Sequence, residues 1–265
     1  MSDIRVTSWL ELQEVIFDNS WQHVLSRHRS NFVFRGAPRV SHGLETSLQT
    51  GHFEDQELHL LTSFRKYALR SAVHGDHIWN WLSLAKHHGL PTRLLDWTYS
   101  PFVAMHFATY DIRTFNEDGA IWCVDYRKTN EMLPKPLRSV LEGDDVNLFT
   151  TETLNRVATT LEQFDAMARH DCVLFFEPPS LDERIVNQFA LFSLPSSARL
   201  SLENLLKTRD AAYKRIVIPS SLKWEVRDKL DQANINERTL FPGLDGLSRW
   251  LERYYTPKST APRAD

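Results

Sequence analysis

Residues 85–108 read AKHHGLPTRLLDWTYSPFVAMHFA, and the order of caps and breaks in this stretch decides the fold class. Residues 77–88 carry the apolar spacing of a helix, which Gly89 and then Pro91 end. Glycine takes the left-handed conformation of a helix C-terminus, and proline cannot continue a helix. Leu94–Thr98 (LLDWT) then reads as a strand. Ser100 and Pro101 read as the N-cap and first residue of a helix running through Phe102–Ala108. A serine hydroxyl accepts an otherwise orphaned backbone N–H, and proline has no N–H to lose there.

Outward from this helix–strand–helix unit, the two signals keep interleaving. Ser8 and Glu11 form an S-x-x-E capping box that opens a helix through Trp9, Leu10, Val15 and Ile16. Phe32-Val33-Phe34 is a short strand entering a turn at Gly36 and Pro38. Leu58, Leu61, Phe64, Tyr67 and Ala68 give residues 54–71 a helical period. Ala120–Tyr126 and Cys172–Phe176 read as strands, as do Arg184–Leu194, with a bulge, and Arg215–Ile218. Residues 152–170, 220–233 and 245–254 read as helices. No regular β-α-β period links them. That selects an α+β fold, with a mixed or largely antiparallel sheet flanked by several helices, over a doubly wound sheet. No linker or internal repeat divides the chain, so one compact domain is expected. Its parts would be an N-terminal helix within 1–19, a domain over 20–255 and a disordered, proline-punctuated tail over 256–265.

The chain's 31 basic and 34 acidic residues give a net charge of −3, which argues against general nucleic-acid binding, since phosphate neutralisation needs a basic excess or stripe. Its two cysteines, Cys123 and Cys172, cannot form a disulfide framework and fit no zinc knuckle. No signal-peptide pattern opens the sequence, and no apolar run is long enough to span a bilayer. A cytoplasmic protein with no membrane partner is the expectation. The chain has no H-E-x-x-H, G-x-S-x-G, P-loop or G-x-G-x-x-G motif, so the zincin, α/β-hydrolase, P-loop and dinucleotide Rossmann readings drop out.

Two segments carry more chemistry than a scaffold needs. In Phe34-Arg35-Gly36, an arginine at a strand end next to a turn offers a planar fork of donors suited to phosphate or carboxylate; a salt bridge holding the turn would use the same group. In residues 87–101, His87, His88, Thr92, Arg93, Asp96, Trp97, Thr98 and Ser100 crowd around turn signals. His87 and His88 are adjacent and point about 100° apart on a helix, so one of them at most serves a single site. Asp96 alternates onto the face of Leu94 and Thr98, and a carboxylate there needs a partner such as Arg93 or Arg35. Gln188, within an apolar strand, either orients a ligand or caps a neighbouring backbone group.

These residues resemble a known family. Phe34-Arg35-Gly36, the 85–108 block, RIVNQFALF at 184–192 and LFPGLDGL at 240–247 are similar to the FRG domain of bacteria and phages, over about residues 20–252. One position departs from its pattern: Ala190 stands where the family usually has glycine. The family resemblance implies an anti-phage or toxin-like context. A more distant likeness is to ADP-ribosyltransferases, which place an arginine on a first strand, hydroxyl residues on a strand entering a helix, and a glutamate on a later strand. It implies NAD as substrate, no metal, and a protein or RNA acceptor. Arg35 would contact phosphate, and Thr98 or Ser100 would hold the nicotinamide ribose, with Thr92 and Arg93 also in the binding set. Trp97 or Tyr99 would stack on nicotinamide, and His88 would orient a ribose hydroxyl. Asp96 would stabilise the oxocarbenium-like charge, with Glu177 and Glu237 as the other acids, and Gln188 replaces the family glutamate. Two rivals stand beside this reading. One is a non-enzymatic binding or sensing module whose Arg35, Asp96 and Arg93 form one buried ion network. The other is a metal-dependent nuclease or other hydrolase using His88 and Asp96. An enzyme should hold Arg35, His88, Asp96 and Gln188 around an open cleft, whereas an ion network should be dry and mutually paired.

Overall fold

A computed structural model describes residues 3–68, 75–168, 170–180, 182–208 and 213–258. In chain order its strands are β1 (Ile4–Arg5), β2 (Trp21–Gln22), β3 (Arg27–His28), β4 (Phe32–Ala37), β5 (Leu95–Thr98), β6 (Gly119–Asp125), β7 (Phe149–Thr150), β8 (Val173–Glu177), β9 (Ala190–Pro195) and β10 (Tyr213–Ile218). The helices are α1 (Trp9–Phe17), α2 (Ser47–Thr50), α3 (Glu57–Ala68), α4 (Ile78–His87), α5 (Pro101–Thr109), α6 (Tyr126–Glu131) and α7 (Lys135–Asp144). They continue with α8 (Thr151–Val157), α9 (Leu161–Met167), α10 (Glu183–Asn187), α11 (Leu202–Thr208), α12 (Ser220–Gln232), α13 (Glu237–Leu240) and α14 (Leu244–Tyr254). The fold is α+β, as the interleaving predicts. Eight strands form one mixed sheet in the order β1-β10-β6-β4-β5-β9-β8-β7, antiparallel except for the outer pairs β1·β10 and β7·β8.

Alternation along the strands sorts the core. Val33, Leu95, Trp97, Trp122, Val124, Phe175 and Leu191 build one cluster on one face. The other face carries two clusters. Phe34, Ile121, Cys123, Ile216 and Ile218 pack with α1, α5 and α12 under the β10-β6-β4 half. Leu94, Leu174, Phe176, Phe192 and Leu194 pack with α3, α4 and α7–α9 under the other half. The halves meet at β4 and β5, which share a single paired position, Phe34 with Thr98. By contrast β4 pairs with β6 along its whole length, Phe32–Ala37 against Ala120–Asp125. Asp96 and Thr98 therefore lie on the two-cluster face, at the seam between its two cores.

Several local expectations change. Arg35 lies inside β4, not at a strand end, because pairing continues through Gly36 and Ala37. The glycine serves helix packing: a Cβ on Gly36 would overlap the Ala104 carbonyl of α5. The single helix expected over 152–170 is instead two, α8 and α9, with Ala158 extended between them and Thr160 capping the second through Gln163 N–H; residue 169 lies outside the described residues. Residues 184–194 are not one strand. Asp182 caps the short helix α10, Phe189 turns at φ +48°, and only then does β9 begin. Gln188 is thus the C-cap of α10. The Ser8 cap is made, but the Glu11 carboxylate reaches back to the Thr7 N–H. Most of the tail, 259–265, and residues 69–71 of the helix expected over 54–71 lie outside the described residues.

Candidate functional site

Where β4 and β5 part, a cleft of about 250 Å³ opens among Arg35, Asp96, Thr98, Phe107, Tyr110 and Gln188. It runs into a second lobe of about 520 Å³, walled by Lys86, His87 and His88 from the end of α4 and by Arg184 from α10. Asp96, Arg184, Gln188 and Ala190 border both lobes. The structure thus brings together Arg35, His88, Asp96 and Gln188.

Arg35 Nη1 donates to the backbone carbonyl of Asp96 at 2.8 Å. Its remaining donors meet no acceptor among the described residues. Burial pulls its pKa down from the usual arginine value, against the opposing Asp96 charge, and a guanidinium stays charged regardless. The Asp96 carboxylate is 57% exposed and pairs with Lys86 Nζ at 2.7 Å. Desolvation in the cleft pushes its pKa up, but Lys86 and Arg35, with Arg184, outweigh that and hold it below the usual carboxylate range. Asp96 is therefore ionised at neutral pH.

Local structure fixes the opposite wall. Thr98 Oγ1 donates to the Gln188 carbonyl at 2.7 Å and accepts from Ser100 N–H at 3.0 Å. Gln188 Nε2 donates to the Leu240 carbonyl at 2.9 Å, and Asn187 Nδ2 donates to Thr239 at 3.0 Å. The α10–β9 turn is thereby tied to α13. Ser100 caps α5 by accepting from Val103 N–H. His87 and His88 both border the second lobe, because the helix ends between them and His88 is its C-cap. His87 Nε2 is engaged with Asp182 at 2.5 Å.

Other expected binders do not face the cleft. Trp97 borders it but is buried; its indole donates from Nε1 to Ser193 at 2.9 Å and packs edge-on against Phe175, which leaves little ring surface for a ligand. Tyr99 donates to Glu177 at 2.6 Å. Arg93 belongs to a separate buried network with Glu57 and Asp165 and touches neither Asp96 nor Arg35. Thr92 is buried beside it, its hydroxyl accepting from Leu94 N–H. Glu237 is buried and neutralised by Arg253. Of the three acids, only Asp96 opens onto the cleft. Sequence reasoning passed over Lys86, Arg184, Phe107 and Tyr110. Arg184 is hidden when its segment is read as a strand. Among the described residues, no three His, Cys, Asp or Glu side chains gather as a metal cage.

Residues 30–117 match the family model of the FRG domain. The match takes in both seam strands, with Arg35, His88 and Asp96, but not the α10–β9 wall that supplies Arg184 and Gln188; it is shorter than the resemblance over 20–252. No curated protein and no solved structure matches the chain, so no comparison carries the likeness to ADP-ribosyltransferases.

Proposed function

We propose that this FRG-domain chain cleaves NAD at the seam cleft, transferring the ADP-ribose to water or to a protein or RNA acceptor. One observation carries the reading: a guanidinium with free donors and an ionised carboxylate, Arg35 and Asp96, open together onto one cleft between the halves of the sheet. Arg35 would bind the pyrophosphate as a charge-assisted fork. Phe107 and Tyr110, in place of Trp97, offer aromatic surface for a base. His88, which borders the second lobe, would meet a ribose hydroxyl.

In the reaction, the bond between ribose C1′ and the nicotinamide nitrogen breaks. Its electron pair neutralises the ring cation, so nicotinamide leaves neutral and needs no acid. The positive charge developing at C1′ is stabilised by the Asp96 carboxylate. A water oxygen then bonds to C1′ and releases its proton to solvent, giving ADP-ribose. Loss of cellular NAD by this route would suit the toxin or defence context the family resemblance implies.

The test is proton NMR of NAD with the purified chain beside Arg35→Ala. Free nicotinamide appearing with the wild type alone supports cleavage. Unchanged but broadened NAD signals favour the second reading, a nucleotide-binding module. That reading is favoured by the 2.7 Å Lys86–Asp96 pair, which ties up the carboxylate a catalyst would use.

A further inference from the structure

We infer that Arg184 is a second anion-binding residue, and that Arg35 and Arg184 together clamp a diphosphate across Asp96. The inference rests on the cleft taking a nucleotide, but not on that nucleotide being cleaved. Arg184 lies on the border shared by the two lobes, so it faces the same space as Arg35 and Asp96. Both guanidiniums act on the Asp96 carboxylate from outside its ion pair with Lys86. The other polar side chains that reach acidic partners in the lobes are answered there: Lys86 pairs with Asp96, and His87 Nε2 lies against Asp182. Arg184 is not. Among the described residues its side chain has no carboxylate partner. It rests over the Phe241 ring at 5.0 Å, a contact that orients a guanidinium without using its N–H donors.

Two arginines with free donors at one cleft suit a ligand with two linked anionic groups, since each fork takes one phosphate. A nucleoside monophosphate would engage one of them. A diphosphate such as ADP, or the pyrophosphate of a dinucleotide, would engage both. Arg184 comes from α10, beyond the 30–117 match, so the clamp joins the matched FRG segment to a wall outside it.

Isothermal titration calorimetry of the full chain with ADP and with AMP tests the clamp. ADP should bind the wild type at least about tenfold more tightly than AMP, the scale of one charge-assisted contact. Arg184→Gln should abolish that preference while leaving AMP affinity within about twofold, and Arg184→Lys should restore part of it. Circular dichroism checks the fold, which the substitution should spare because α10 is held by the Asp182 cap and the buried Ile185. Equal affinities for ADP and AMP in the wild type, no binding of either, or an unchanged preference in Arg184→Gln would each overturn the inference. ADP binding with the expected preference, but no release of nicotinamide from NAD, would refute the cleavage reading and leave the clamp standing.

Discussion

Arg93 and Arg35 are both cations of the matched FRG segment, and they live in opposite surroundings. Arg93 is 5% exposed and lies between two carboxylates, Glu57 at 2.5 Å and Asp165 at 2.5 Å. Burial alone would lower its pKa; the hydrogen-bonded Glu57 and Asp165 reverse that and hold it above the usual arginine value. Arg35 binds one carbonyl and keeps donors free toward a cleft. A cation whose charge is matched by two carboxylates and whose donors are mostly answered by the protein has little capacity left for a ligand. One whose donors are left over at an opening is costly to the fold and useful only to something that enters. The two regions also separate the rival readings in space. The buried ion network is real but is centred on Arg93, and the Arg35–Asp96 pair lies outside it.

Breaking the comparison at its structural end should have the largest effect. Arg93→Met leaves Glu57 buried without a counter-charge, and should cost about 3–5 kcal/mol in urea unfolding. Adding Glu57→Gln should recover part of the loss; equal stability of wild type and Arg93→Met would show that the network holds nothing together. Gly36→Ala comes next, at about 3 kcal/mol, because the added methyl would meet the Ala104 carbonyl on α5. Thermal unfolding reads this, and a shift of less than a degree would mean that α5 moves away freely.

Lys223 tests the rule that partner type decides. It is fully buried, like Arg93, but its Nζ donates only to neutral oxygens, the Pro38 and Thr114 carbonyls at 2.7 and 2.8 Å. Burial pulls its pKa down to about 8 from 10.5. Between those values the unfolded chain holds the proton more tightly than the folded one. Stability relative to Lys223→Met should therefore rise as pH climbs from about 8 to 10.5, with a slope of at most about 1.4 kcal/mol per pH unit. A flat difference in unfolding free energy across that window would show that the carbonyls hold the ammonium as well as carboxylates would. At Arg35 the structural stake is one charged hydrogen bond. Arg35→Ala should cost only about 1–2 kcal/mol while losing nicotinamide release; a collapse of the fold would move Arg35 into the same class as Arg93.

The sequence made the fold class legible because caps and breaks are local. Gly89 at φ +82°, Ser100 capping Val103 N–H and Pro101 at the start of α5 all do what their residue types dictate. The same locality made the site half legible. Arg35, Asp96 and His88 stand out by residue type, and alternation alone put Asp96 on the face of Thr98. What escaped was tertiary. Nothing in Phe34-Arg35-Gly36 says that the glycine makes room for a helix. The apolar run at 184–194 looks like one strand, and only the Asp182 cap and the turn at Phe189 break it, which hid Arg184 on a helix and Gln188 at its end. Trp97 shares a strand with Asp96, and the pleat sends it to the opposite core.

The smallest effect decides which acid belongs to the cleft. Glu177 is exposed, follows the core residue Phe176 on β8 and accepts from the Tyr99 hydroxyl, whose pKa is raised by burial and by that carboxylate. It does not border the cleft. Glu177→Gln keeps an acceptor for the Tyr99 hydroxyl, so stability should change by no more than about 0.5 kcal/mol, as for an ordinary surface substitution. Nicotinamide release should be unaltered, while Asp96→Asn, tested beside it, should stop the release and keep the fold. The opposite pattern would transfer the charge-stabilising role to the rim of β8. It would also mean that the open carboxylate beside Arg35 serves only to hold Lys86 in place.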